Sequence, residues 1–184
     1  MSQDIVNPYE PPKSDVETIT PEGSAPDFFS VTTLKLVVMS ILTFGLYELY
    51  WFYRNWARIR DHTSANIMPF WRAFFAIFWV YSLFKQFNDG ATTRGMPESI
   101  AAGGLTLLYI LLSLASNAPA AYSLVGLFGV VAIVPANSLA ARVNLAADPA
   151  FENNGRFTVW HWLVMALGAA LIGFGIWGTL VGEQ

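Results

Sequence analysis

The sequence predicts an all-α fold, a polytopic membrane helical bundle of about five hydrophobic helices, and three observations predict it. Charge is scarce: 12% of the 184 residues are Asp, Glu, Lys or Arg, against 54% hydrophobic, about half the charged share of a soluble domain. Apolar segments recur at 33–53, 67–87, 100–116, 121–141 and 160–181, each near the ~20 helical residues that cross hydrocarbon. Aromatic residues crowd segment ends, as in Thr43–Trp56 (TFGLYELYWFYRNW) and Trp160-His161-Trp162. Rings with one polar edge collect in this way where a helix leaves hydrocarbon for headgroups.

Residues 1–30 stand apart. They hold six acids against Lys13, and five of the ten prolines, with no apolar period. Such a stretch buries too little surface to offset the entropy of ordering, which predicts a disordered acidic tail ahead of a helical domain at 31–184. Within it, Asn7-Pro8-Tyr9-Glu10-Pro11-Pro12 presents one aromatic among prolines. A polyproline segment costs little entropy to present, so Asn7, Pro8, Tyr9 and Pro12 read as a short motif for a cytoplasmic protein partner, or as a plain spacer.

The first apolar segment carries Thr43-Phe44-Gly45 at its middle. Glycine lowers helix propensity, so this is a kink in a crossing helix or the apex of a re-entrant hairpin. Residues 54–66 extend the helix to about Thr63. The second segment starts with Pro69 in a first turn, where proline is tolerated, and a polar loop is expected at 88–99. Segments three and four flank the turn Asn117-Ala118-Pro119, with Pro135 expected to kink the fourth. Thr158 is the expected N-cap of the last helix.

All ten Lys and Arg fall before Ile100 or between Asn137 and Thr158. By the positive-inside rule the C-terminus and the 117–120 turn are then periplasmic, and the N-terminus cytoplasmic. Two arrangements stay open for residues 31–87: two full crossings, or an interfacial or re-entrant pair that keeps every basic residue inside.

Glu48 is the acid to weigh, because an ionisable group in hydrocarbon needs a partner or a task. With the first two segments antiparallel about a turn near Asp61, Glu48 and Arg72 fall at similar depth, which predicts an ion pair locking the hairpin. Arg54, Arg58 and Arg60, with Trp56 beside them, are candidate lipid-headgroup contacts. Ala166 with Ala170 and Ala169 with Gly173 allow close helix approach in the last segment. The sequence has no cysteine, which excludes disulfides and thiolate chemistry. His62 and His161 belong to no metal-ligand spacing, no nucleophile-elbow or phosphate-loop motif occurs, and no basic cluster fits nucleic acid. No catalytic residue and no cofactor are expected.

The run Gly45-Leu46-Tyr47-x-x-Tyr50-Trp51-x-Tyr53, with Pro69-Phe70-Trp71-Arg72-Ala73 and the Asn7-Pro8-Tyr9-x-x-Pro12 tail, resembles a family of uncharacterised bacterial inner-membrane proteins with a domain of unknown function. The resemblance covers residues 7–12 and 31–85. It implies a location in the bacterial inner membrane and brings no activity or site residue. The function expected is therefore a non-enzymatic membrane adaptor or accessory protein, in contact with the bilayer and a cytoplasmic partner. The alternative is a small transporter or lipid-handling protein with a polar path near Glu48 and Arg72.

Overall fold

A computed structural model describes residues 26–115 and 124–182. It is all-helical: α1 (Thr33–Leu42), α2 (Leu46–Thr63), α3 (Pro69–Phe74), α4 (Ala76–Thr93), α5 (Ala102–Ala115), a 3₁₀ turn (Leu124–Gly129), α6 (Val130–Ala147) and α7 (Val159–Gly182). Among the described residues the only β feature is an isolated parallel bridge between Val31 and Asn154. One stretch, Val125–Ala147, is long and apolar enough to cross a membrane; α1, α5 and the Val159–Phe174 part of α7 are apolar but shorter.

The break expected inside the first segment separates α1 from α2. Phe44 and Gly45 both take positive φ, 52° and 84°, a conformation that costs glycine little and other residues more. The Thr43 hydroxyl bridges the gap, donating to the Met39 carbonyl (2.7 Å) and accepting from the Tyr47 N–H (2.9 Å). Along α2 the buried residues are Tyr47, Glu48, Trp51, Phe52, Asn55, Trp56 and Ile59, a single stripe at helical spacing. Helix α2 packs most closely on α3, and its stripe also meets Phe87 of α4, Tyr109 of α5 and Asn137 of α6, while α1 lies against α6 and α7.

The second segment divides at Phe75 into α3 and α4, and α4 runs on to Thr93, into residues expected to form a loop. Hydroxyls sustain this extension: Thr92 and Thr93 donate back to the carbonyls of Asn88 and Asp89. Gly95, at φ 66°, ends the turn. Helix α6 continues through Pro135. At the start of α7, the His161 imidazole accepts the Thr158 N–H at 3.0 Å, so the third helical residue caps backward in the manner of a capping box.

The expected tail, residues 1–30, gives way to structure sooner. Phe28 and Phe29 are 6% and 5% exposed and Val31 is fully buried, so residues 26–31 form a strap that bends at Asp27–Phe28 and enters the bundle. Residues 1–25, with Asn7, Pro8, Tyr9 and Pro12, lie outside the described residues. The surface inverts the usual pattern: Phe78, Trp160 and Phe174 are 77%, 76% and 77% exposed, among many large apolar side chains facing outward on α3, α4, α5 and α7.

Candidate functional site

Three asparagines hold the strap, each using its amide on both sides of one strap residue. Asn144 accepts from the Phe28 N–H (3.0 Å) and donates to the Phe28 carbonyl (2.8 Å). Asn55 does the same for Phe29, at 3.0 Å in each direction, and Asn137 for Val31, at 3.0 and 2.6 Å. Each amide stands in for the peptide of a neighbouring strand. Asn137 and Asn144 lie seven residues apart on α6, about 10.5 Å along the axis. Phe28 and Val31 are three residues apart in an extended chain, about 10 Å, so the spacings match with the strap antiparallel to the helix.

Further side chains close on the clamp. The Trp51 indole donates to Asn137 Oδ1 at 3.0 Å and Asn153 to the Val31 carbonyl at 3.1 Å. Lys35, 1% exposed, donates to Asn154 Oδ1 and the Arg156 carbonyl at 3.0 and 2.7 Å. Outside the clamp, Arg58 donates to the Pro26 carbonyl and Arg94 pairs with Asp27. Gly90 makes room for Phe28: a Cβ there would fall 2.8 Å from the phenyl ring. The device recurs at the end of α4, where Asn88 brackets the Ile100 N–H and carbonyl, both at 2.9 Å.

These bonds also fix the relation of α1 to α2. Asn55 and Arg58 of α2 meet Phe29 and Pro26, just ahead of α1. The chain therefore runs out along α1, turns at Phe44–Gly45 and returns along α2 to the level from which it started.

The expected Glu48–Arg72 pair does not form. Glu48, 6% exposed, hydrogen-bonds the Tyr109 hydroxyl, which is also bonded to Ser113, and its carboxylate lies against Gly129. Arg72 instead lies between two indoles, 4.5 Å from the Trp56 ring and 4.3 Å from that of Trp79. The reason is the turn. Helix α2 runs to Thr63 and α3 starts at Pro69, so the reversal centres near residue 66 rather than 61. This moves the level facing Arg72 from about residue 50 toward residue 60, and its guanidinium reaches over Trp56, eight residues and about 12 Å along α2 from Glu48.

The headgroup set also needs correction. Trp56 is fully buried and serves as the floor for Arg72, so it cannot meet a lipid. Arg54, Arg58 and Arg60 do share a cleft of about 360 Å³ with Tyr53, Ala57, Asp61 and His62. Arg60 is taken by Asp61 at 2.8 Å. Arg54 stacks on Phe29 (5.2 Å) and Tyr50 (5.9 Å). Burial, and then the like charge of Arg54, lower the Arg58 pKa from its ordinary value. Among the described residues no group of three or more His, Cys, Asp or Glu is placed to hold a metal ion.

The sequence singled out Glu48 and the arginines; it offered Asn137 and Asn144 as lining for a polar site or as capping and snorkelling residues, and placed Asn55 on the stripe facing the second segment. The signal was present: amides inside apolar helices are poor helix formers, and each needs both donors and acceptors. Fold and site together define a helical bundle clamped on its own N-terminal strap. Comparison with protein-family models, with curated proteins and with solved structures finds no match to this chain.

Proposed function

We propose that the chain is a non-enzymatic adaptor embedded in the bacterial inner membrane, its helical body serving as the fixed mount for the acidic tail. The clamped strap carries this reading. Three two-sided amide contacts, the Arg58 contact and the Arg94–Asp27 pair hold residues 26–31, so residues 1–25 join the body at a fixed point. A tail that only tethered would need no such anchorage. The Asn7-Pro8-Tyr9-x-x-Pro12 motif is the part offered to a cytoplasmic protein.

Membrane residence rests on the outward aromatic and aliphatic side chains, since a soluble monomer rarely exposes so much contiguous apolar surface. In this reading α1 and α2 form a re-entrant hairpin with its apex at Phe44–Gly45, and α5, α6 and α7 cross. Lys35, Arg54, Arg58, Arg60 and Arg94 then lie toward the cytoplasm, in keeping with the positive-inside rule. The transporter alternative loses support: Arg72 is committed to its two indoles, and the clefts along α2 at Tyr47, Tyr50 and Tyr53 are lined without Glu48.

The test is site-specific photo-cross-linking in the full chain, with the photoreactive residue at Glu10. The expected result is one discrete cytoplasmic adduct, lost in the Tyr9→Ala background while membrane insertion is unchanged. Diffuse labelling, insensitive to Tyr9, would sink the adaptor reading.

A further inference from the structure

We infer that the outer face of α2 is a binding site for one anionic phospholipid of the cytoplasmic leaflet. The inference rests on the membrane residence proposed above. Two clefts adjoin along this face. The basic cleft of about 360 Å³ lies between Tyr53 and His62 and contains Arg54 and Arg58. An apolar slot of about 240 Å³ follows, between Leu49, Tyr50 and Tyr53 of α2 and Phe70, Ala73 and Phe74 of α3. Tyr53 lines both, so the two are neighbours on either side of one ring. Tyr50 carries the surface on into a second apolar cleft, about 320 Å³, between the α1–α2 turn and α7.

The gradient along the helix is that of a phospholipid. From Leu46 to Arg60 is fourteen residues, about 21 Å, close to one leaflet with its headgroup layer. The basic end lies at the level of the strap, where residues 55–58 meet residues 26–29.

Charge decides the occupant. Arg54 and Arg58 are one helical turn apart and repel, and Asp61, the acid in the cleft, is engaged by Arg60. Arg58 gives one guanidinium N–H to the Pro26 carbonyl and its Nε is buried without a partner, so it contributes positive charge beside the cleft. Among the described residues Arg54 is held by ring stacking alone, which fixes the guanidinium plane and leaves its donors for an acceptor. A phosphodiester there accepts from Arg54 and lies beside the positive charge of Arg58, and its acyl chain continues into the slot beside Phe70 and Phe74.

The experiment places the full chain in micelles holding equal amounts of dioleoyl phosphatidylglycerol and dioleoyl phosphatidylcholine, and counts bound lipid by native mass spectrometry. Two arginines predict about thirtyfold preference for phosphatidylglycerol, and Arg54→Gln lowers it about fivefold, each basic group contributing about that factor. Arg60→Gln leaves the preference within about twofold. Equal retention of the two lipids overturns the site, as does an Arg54→Gln protein indistinguishable from wild type. Displacement of phosphatidylglycerol by millimolar inorganic phosphate would make the cleft a soluble-anion site and overturn the lipid assignment. A preference seen only in a full chain carrying Glu17→Gln and Glu22→Gln would make the acidic tail the occupant, with the same consequence. The membrane reading fails separately, if the wild-type chain is monodisperse in buffer without detergent.

Discussion

Asn137 illustrates how one buried amide can bind two distant parts of the chain. It satisfies the Val31 backbone on both sides and also takes the Trp51 indole proton. Truncation to Ala leaves the Val31 N–H and the Trp51 N–H without a partner, and each orphaned buried group costs about 1–3 kcal/mol. Asn137→Ala is therefore expected to lose roughly 2–4 kcal/mol of stability, read as a lowered unfolding midpoint in detergent. Asn144→Ala should behave alike, because it orphans both backbone groups of Phe28. Thr92→Ala, an exposed hydroxyl bonded only to its own helix, is the control and should shift the midpoint little. Arg72 works differently at this scale, since two indole faces take the place of the carboxylate the sequence suggests.

At the scale of elements, the close approach of α7 to α1 is the contact most open to test. A Cβ on Gly168 would lie 1.8 Å from the Leu42 carbonyl oxygen, so no side chain fits without moving the two helices apart. The small-residue stretch of α7 thus acts in internal packing, although the residue in contact is Gly168 rather than the Ala166–Ala170 or Ala169–Gly173 pairs. Gly168→Leu is expected to release α7 from α1 and leave the clamp intact. A disulfide trap between Leu42→Cys and Leu171→Cys reads the first effect, as faster cross-linking in the parent than in the Gly168→Leu background. Persistence of equal cross-linking rates would show that α7 is held some other way. The α1–α2 pair is a second instance, where the Thr43 hydroxyl and two positive-φ residues make a reversal from a sequence otherwise apolar enough to run straight.

For the whole molecule the question is which ends share a side of the membrane. Helix α1 has ten residues, about 15 Å, half of a ~30 Å hydrocarbon core. With the return of α2 to the level of the strap, residues 64–68 fall on the side of the N-terminus. Reporter fusions are expected to place the N-terminus and the 64–68 turn in the cytoplasm and the C-terminus in the periplasm. Opposite sides for the N-terminus and the 64–68 turn would mean a full crossing by residues 33–53 and would refute the re-entrant hairpin.

The sequence by itself determined the helical class, the apolar segments, the break at Thr43–Gly45 and the basic end of α2, because period, glycine and charge are properties of neighbouring residues. It left open whether that break is a kink or an apex, and it misplaced the partner of Glu48, because moving a turn's centre by about five residues moves the facing position by about ten, on the order of 15 Å. Only the tertiary structure joined Asn55, Asn137 and Asn144 to a strap up to 116 residues away. An amide's need for partners is written in its chemistry, but which backbone satisfies it depends on how the helices assemble. The same assembly made Trp56 a buried floor instead of a surface contact, and left Arg54 and Arg58 beside an apolar slot.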